Sequence, residues 1–376
     1  MLPKGFKVSG VCSGISKEEH KKDLALFISE LPASVAGMFT SSVTKAAPVL
    51  VDIEKLKKGG KFSAILANSG CANACTGTKG KRDAEDMCLV VENFFNLKPG
   101  SVLCASTGII GKYLNISKNK FKKDVELLKN NLGFSLKNED EAVLAIMTTD
   151  TCIKKISRRF KTVNGNIVKI WGCVKGSGMI HPNMQGYHAT MLSFILTDAE
   201  IDSNSLQRIL ENSIEQSFHC VSVDGDTSTN DTIIVLANGK SGAGRLSKID
   251  LKNFIKIFNE LTLELAKSIV KDGEGATKFI EIEVKNTKTK SDARIIASAI
   301  ATSPLFKTAI FGADANWGRV VAAASRSGVS FNPDKVDIYI ASVCTLKNGV
   351  ASNFSELSVK KSLLKKEVKV VVDFKL

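Results

Sequence analysis

The 376 residues are 44% hydrophobic and 24% charged, with a formal net charge of +14. That composition can bury a large core, which excludes wholesale disorder, and length alone suggests two or three domains. No apolar run reaches the roughly 18 residues of a membrane span, and the opening MLPKGFKVSGVCSG has neither a signal-peptide core nor an Arg- and Ser-rich transit segment, so a soluble, cytoplasmic protein is expected.

Short β-rich runs alternate with amphipathic ones along the chain. Strands are predicted at 24–29, 64–68, 101–106, 167–173, 192–197, 232–237, 279–284, 336–342 and 368–374, from length and β-branched or aromatic content. Helices are predicted at 84–95, 121–131 and 292–301. Another carries Leu206, Ile209, Leu210 and Ile214 on one face, capped by Asp202 or Ser203. A longer stripe follows Asp250 through Phe254, Phe258, Leu261, Leu265 and Ile269 and reads as core packing. Mixed strands and helices imply an α/β or α+β layered fold.

The nine cysteines are scattered and odd in number, which predicts reduced, mostly buried thiols. The four histidines form no zinc-ligand spacing, so no metal is expected. Lysine carries nearly all the positive charge and is spread over helix faces. With only three tyrosines and two tryptophans to stack on bases, a solvated basic surface is expected rather than a nucleic-acid partner.

Several loop-like stretches hold more small, polar and charged residues than packing needs. They are NSGCANACTG at 68–77, ASTGIIG at 105–111, KGSGMIHPNM at 175–184, SVDGDTSTND at 222–231, DGEGATK at 272–278 and GADANWGR at 312–319. Singly they are weak signals. Lys175–Gly178 lacks the phosphate-loop spacing. Ser177 and His181 suggest a nucleophile and base that no helix holds together. Asp224, Asp226 and Asp231 lack the EF-hand pattern and read as turn caps.

Together, in this order, these segments resemble the ornithine acetyltransferase family, the bifunctional glutamate N-acetyltransferases of arginine biosynthesis. PKGFKVSGVCSGI, KDLALFIS, LPASVAGMFT, KAAPVL, MTTDT, ATMLSFILTDA and SPLFKTAIFGADANWGR extend the likeness over roughly residues 3 to 345.

The resemblance implies an α-β-β-α sandwich of the N-terminal-nucleophile style. It implies self-cleavage between Ala189 and Thr190 into an α chain, 1–189, and a β chain, 190–376, assembled as a dimer of such pairs (a heterotetramer). A hydroxyl following the scissile carbonyl can attack it by an N-to-O acyl shift. The freed α-amine, with an ordinary pKa near 7.7–8.0, then serves its own Oγ as general base. Thr190 is thus the implied nucleophile, taking acetyl from N-acetylornithine and passing it to glutamate. Thr107 and Gly108 are the implied oxyanion donors. Lys175, Glu274 and Thr148 or its neighbour Thr149 are the implied substrate contacts. No cofactor is implied, and acetyl-CoA as a second acetyl donor is left open. A related self-processing aminopeptidase or amide hydrolase, or an unprocessed inactive relative, are the alternatives.

Two departures from the family pattern stand out. Gln185-Gly186-Tyr187-His188 separates P-N-M from A-T-M-L, placing Lys175 fifteen residues before Thr190. The chain also ends at EVKVVVDFKL, where family members continue into a strand and a tail bearing an asparagine and a terminal serine or threonine. Truncation is therefore expected at the C-terminus, and no residue here is assigned those roles.

Overall fold

The structure, a computed structural model, describes residues 1–114, 117–181 and 191–375. It divides into two compact units, Met1–Glu274 and Gly275–Leu376.

The first unit begins with β1 (Phe6–Val11), β2 (Leu24–Phe39), α1 (Ala47–Lys58), β3 (Phe62–Asn68), α2 (Gly77–Phe94) and β4 (Val102–Ser106). It continues with α3 (Lys118–Asn130), α4 (Leu136–Leu144), β5 (Lys154–Lys161), β6 (Ile167–Lys175) and β7 (Leu192–Thr197). It closes with α5 (Ser203–Ile214), β8 (Thr232–Ala237) and α6 (Lys248–Lys271). The strands join in the order β4-β3-β2-β8-β7-β6-β5, with β1 also on β2.

β2 is where this sheet folds over. Its first half pairs with β1 and β3, and its second half, Ser34–Phe39, pairs with β8. The register shifts between Ile28 and Ala33, around the exposed Glu30-Leu31-Pro32. Proline cannot donate to a ladder, so it sits where pairing changes partners. The predicted strand at 24–29 is therefore only the first half of a 16-residue one.

The two halves face each other across a shared core. Phe27, Ile65 and Leu103 on one side meet Trp171, Phe194 and Leu236 on the other. Alternation along each strand sends the remaining residues outward. Leu26, Leu66 and Val102 pack under Met87 and Val91 of α2 and Phe121 and Val125 of α3. Ile170, Ile195 and Val235 pack under Leu206 and Leu210 of α5 and Phe254, Phe258 and Leu265 of α6. The result is the expected α-β-β-α layering. Truncating a fully buried side chain such as Phe254 should cost about 3–5 kcal/mol.

Local chemistry sets the helix ends. Asp202 caps α5 by accepting from the Ser205 N–H at 2.9 Å, one of the two caps predicted. α6 is capped by Ser247, which accepts from the Asp250 N–H at 3.1 Å. Asp250 thus lies in the first turn, where its charge suits the helix dipole. All nine cysteines are free, but only Cys71, Cys88, Cys104 and Cys173 are buried. Cys12, Cys75, Cys152 and Cys220 are exposed, so the expectation of mostly buried thiols is corrected.

The second unit holds β9 (Phe279–Lys285), α7 (Lys290–Ala301), α8 (Pro304–Phe311), α9 (Trp317–Ser325), β10 (Asp337–Ile340), β11 (Val343–Lys347), β12 (Val350–Ala351), α10 (Glu356–Leu363) and β13 (Glu367–Asp373). Its sheet runs β12-β11-β10-β13-β9. Ile338, Val370 and Val372 pack against Ile296, Ile300, Phe306 and Val320 from the helices. Among the described residues no single helix is long and apolar enough to cross a membrane.

Candidate active site

β6 ends at Lys175, whose register partner across the sheet is Leu192, the first residue of β7. In alternation Lys175 follows Trp171 and Cys173, both in the core between the two sheet halves. Its ammonium therefore enters the end of that core, with only 3% of the residue exposed. There Nζ donates to the hydroxyl oxygens of Thr107, at 3.0 Å, and Thr148, at 2.9 Å. Burial lowers the Lys175 pKa. Asp150, Asp231 and Glu274 act against that shift, and Lys154 adds to it.

A second tier fixes this lysine. Asp150 accepts from the N–H groups of Gly176 (2.6 Å) and Thr148 (3.1 Å) and from Lys154 Nζ (2.6 Å). Lys154 also pairs with Asp272, which accepts from Thr151. Burial pushes the Asp150 carboxyl up, but Lys175, Lys154 and the Gly176 amide outweigh it and hold it below the ordinary range.

The turn after β4 carries Thr107 and Gly108. Gly108 has φ +127°, and a Cβ there would lie 2.5 Å from the carbonyl carbon of Gly70, so only glycine fits. The Thr107 N–H donates to Asn68 O at 2.9 Å, and Ser106 Oγ donates to Asn68 Oδ1 at 2.6 Å. With its amide engaged, what Thr107 can offer a ligand is its hydroxyl hydrogen, because Lys175 occupies an oxygen lone pair. Thr107 is buried and Gly108 is exposed, so the turn opens at its glycine.

The remaining candidates gather nearby. Thr149 and Ser177 share a hydrogen bond of 2.7 Å between hydroxyls. The Glu274 N–H donates to Ser177 O at 2.8 Å. A Cβ on Gly178 would meet the Glu274 carboxyl carbon at 2.5 Å, so glycine makes room for that side chain. Ser177 is thus engaged by Thr149. Asp224 is the turn cap that was expected, accepting from the N–H groups of Met179 (2.6 Å), Ile180 (3.0 Å) and Asp226 (3.0 Å). Asp231 departs from that expectation. It is fully buried, and neither carboxylate oxygen meets a donor in hydrogen-bonding geometry among the described residues. Ala189, Thr190 and Gln185–His188 lie outside the described residues. Among those described, no three His, Cys, Asp or Glu side chains gather as a metal site.

Comparison with known proteins places this arrangement in context. A family model described as the ArgJ family matches residues 7–376. The arginine biosynthesis bifunctional protein ArgJ of Caldanaerobacter subterraneus subsp. tengcongensis is 46% identical over 380 residues, covering 100% of this chain and 91% of that protein. The glutamate N-acetyltransferase of Methanocaldococcus jannaschii is 45% identical over 388 residues, covering 100% of this chain and 91% of that one. Among solved structures, the ornithine acetyltransferase of Mycobacterium tuberculosis complexed with ornithine is 32% identical, with a TM-score of 0.42. That match covers 48% of this chain and 93% of that one.

Proposed function

Because this chain belongs to the ArgJ family, an acyltransferase family of arginine biosynthesis, we propose that it moves acetyl from N-acetylornithine to glutamate through an acetyl-Thr190 intermediate. The observation that carries the assignment of parts is Lys175, whose ammonium joins the hydroxyls of Thr107 and Thr148 at the end of the inter-sheet core. Thr190 stands two residues before β7, the strand paired with the end of β6.

In the proposed cycle the precursor first cuts itself between Ala189 and Thr190. Thr190 Oγ attacks the Ala189 carbonyl carbon, and the C–N bond breaks to give an ester and a free α-amine. Water then hydrolyses the ester to release the Ala189 carboxylate and the Thr190 hydroxyl. The new α-amine takes the Thr190 hydroxyl proton as Oγ attacks the acetyl carbonyl carbon of N-acetylornithine. The carbonyl oxygen becomes an oxyanion, and the Thr107 hydroxyl and Gly108 N–H donate to it. Collapse breaks the C–N bond, and ornithine leaves with a proton from the α-ammonium. Glutamate's neutral amine then attacks the acetyl ester, and Thr190 Oγ leaves and is reprotonated. Lys175, beside Thr148, suits the substrate α-carboxylate, and its like charge favours a neutral Thr190 amine. Glu274 suits the side-chain ammonium of ornithine. The cycle uses only the chain's own groups and two amino-acid substrates, in keeping with a cytoplasmic enzyme.

The pieces 1–189 and 190–376 would stay together after the cut. β6 and β7 pair over six registered residues, and β2 and β8 over six more, with the shared core between. Pairs of such chains would then dimerise, an assembly that sedimentation can measure.

The test is intact mass and N-terminal sequencing, alongside acetyl transfer from N-acetylornithine to glutamate. The parent should give two chains, the second beginning at Thr190, and Thr190→Ala should stay whole and inactive. Cleavage of Thr190→Ala at the same bond would sink the mechanism. Hydrolysis of N-acetylornithine without transfer to glutamate would make the protein an amide hydrolase instead. Thr107→Ala should lower kcat by about a hundredfold or more.

A further inference from the structure

The turn that leads into β8 carries Asn230, and we infer that Asn230 is a positioning residue for the oxyanion turn. The inference rests on the reading of Thr107 and Gly108 given above. Asn230 is 5% exposed. Its Nδ2 donates to Ser106 O at 2.8 Å and to Ala72 O at 2.6 Å. Its Oδ1 accepts from the Thr229 hydroxyl at 2.6 Å. Both acceptors at the Nδ2 end are carbonyl oxygens, so only the NH2 group satisfies them, and the amide has one orientation.

The contact to Ser106 is the informative one. The carbonyl of Ser106 and the N–H of Thr107 belong to one peptide plane. Asn230 holds the carbonyl side of that plane, and Asn68 O holds the N–H side at 2.9 Å. A planar peptide gripped at both edges cannot rotate. Its orientation sets where the Thr107 hydroxyl and the following Gly108 N–H point. The second Nδ2 hydrogen, on Ala72 O, ties the same amide to the 68–77 loop. That loop backs the turn through the Ala72 N–H donating to Ile109 O at 3.1 Å.

Asn230 itself is held on the opposite side. The Thr232 hydroxyl donates to Asn230 O at 2.9 Å, and the Asn230 N–H donates to Ser228 Oγ at 3.1 Å. Thr232 is registered to Leu192 of β7, and its N–H donates to Met191 O at 2.9 Å. One side chain thus references the oxyanion turn to the entry of the strand that follows Thr190. After the proposed cut, Asn230 and Thr190 would travel on one chain and Thr107 on the other. Asn230 would then keep nucleophile and oxyanion donors in register across two polypeptides.

Asn230→Asp is nearly isosteric, keeps an acceptor for Thr229 and loses both donors. In protein shown by mass to be fully processed, it should lower kcat for acetyl transfer by about thirtyfold, the scale of a sub-ångström misplacement. KM for N-acetylornithine and glutamate should stay within about threefold. Because the effect runs through Thr107 and Gly108 together, the double variant with Thr107→Ala should lose clearly less than the product of the two single losses. Should Asn230→Asp not fold, Asn230→Ser, whose shorter side chain leaves the Ser106 and Ala72 carbonyls without their donor, gives the same readouts.

A folded Asn230 variant with unchanged kcat overturns the inference. So does a double variant whose losses multiply in full, since that places Asn230 outside the oxyanion turn. If Thr107→Ala is fully active, the oxyanion reading itself falls and this inference with it, an outcome separable from failure of Asn230 alone.

Discussion

The Lys175 ammonium lies 3.0 Å from the Thr107 hydroxyl oxygen, joining residues 68 positions apart in the chain. The bond uses an acceptor lone pair of Thr107 and leaves its hydrogen directed elsewhere. A buried cation therefore orients the one donor that this threonine has left to give.

Lys175→Met keeps most of the volume and removes the charge. It should lower kcat/KM at least about a hundredfold by releasing the Thr107 and Thr148 hydroxyls together. Asp150 keeps Lys154 and the Gly176 amide, so the stability loss by urea unfolding should be only about 1–3 kcal/mol. Activity within tenfold of the parent would remove Lys175 from the site.

Gly178→Ala probes Glu274 without touching its charge. Gly178 is outside the left-handed region, so alanine suits its backbone, but the new methyl would press on the Glu274 carboxyl. Glu274 is exposed and can swing away, so the melting temperature should barely move. KM for N-acetylornithine should rise about five- to tenfold with kcat changed less, as it should in Glu274→Gln. An unchanged KM in Gly178→Ala beside a raised one in Glu274→Gln would mean that the carboxyl binds substrate from a position the methyl does not disturb.

Asp231 makes stability depend on pH in a stated direction. Burial drives its carboxyl well above the ordinary range, the Met191 amide and the Lys175 cation offsetting this in part. The folded chain then holds a proton that the unfolded chain releases near pH 3.9. This contribution is full below that value and is lost as pH rises through the raised folded value. Asp231→Asn removes the dependence. Its melting temperature relative to the parent should be most favourable at pH 8 and decline steadily toward pH 4.5. A difference that is flat across that range would show that Asp231 titrates normally.

Deletion of Gln185–His188 tests whether the inserted residues slow processing. A competent geometry populated a fraction of the time lowers the rate by that fraction. If that fraction is near one in ten, the shortened precursor should disappear about tenfold faster, equivalent to about 1.4 kcal/mol. Time courses of both precursors decide it. Equal rates would mean the segment is tolerated, and slower cleavage would give it a positive role.

Local pattern alone determined a good deal of this protein. Strands at 192–197 and 232–237 were readable to the residue, because runs such as LSFILT are buried on both faces and need no partner to identify them. The stripe of α6 was equally legible, and the α5 cap was narrowed to Asp202 or Ser203, of which the structure takes Asp202. β5, with the sequence KKISRRFK, was not, since its half-exposed, charged face hides the alternation. β2 was legible only over 24–29, because the exposed Glu30-Leu31-Pro32 interrupts the buried run before the second half pairs with β8. The candidate residues came from ordered motifs, which state which residues matter but not which of them touch.

Only the tertiary structure decided that Lys175 spans Thr107 and Thr148, that Asp231 is fully buried rather than capping a turn as Asp224 does, and that Asn230 grips the Ser106–Thr107 peptide. Asn230 lies 124 residues from Ser106 and 158 from Ala72. A side chain's local spacing specifies its face on a strand or its place in a turn. Which distant carbonyl it meets is set by how the two halves of one long strand carry their partners over each other, and that is a property of the packed core.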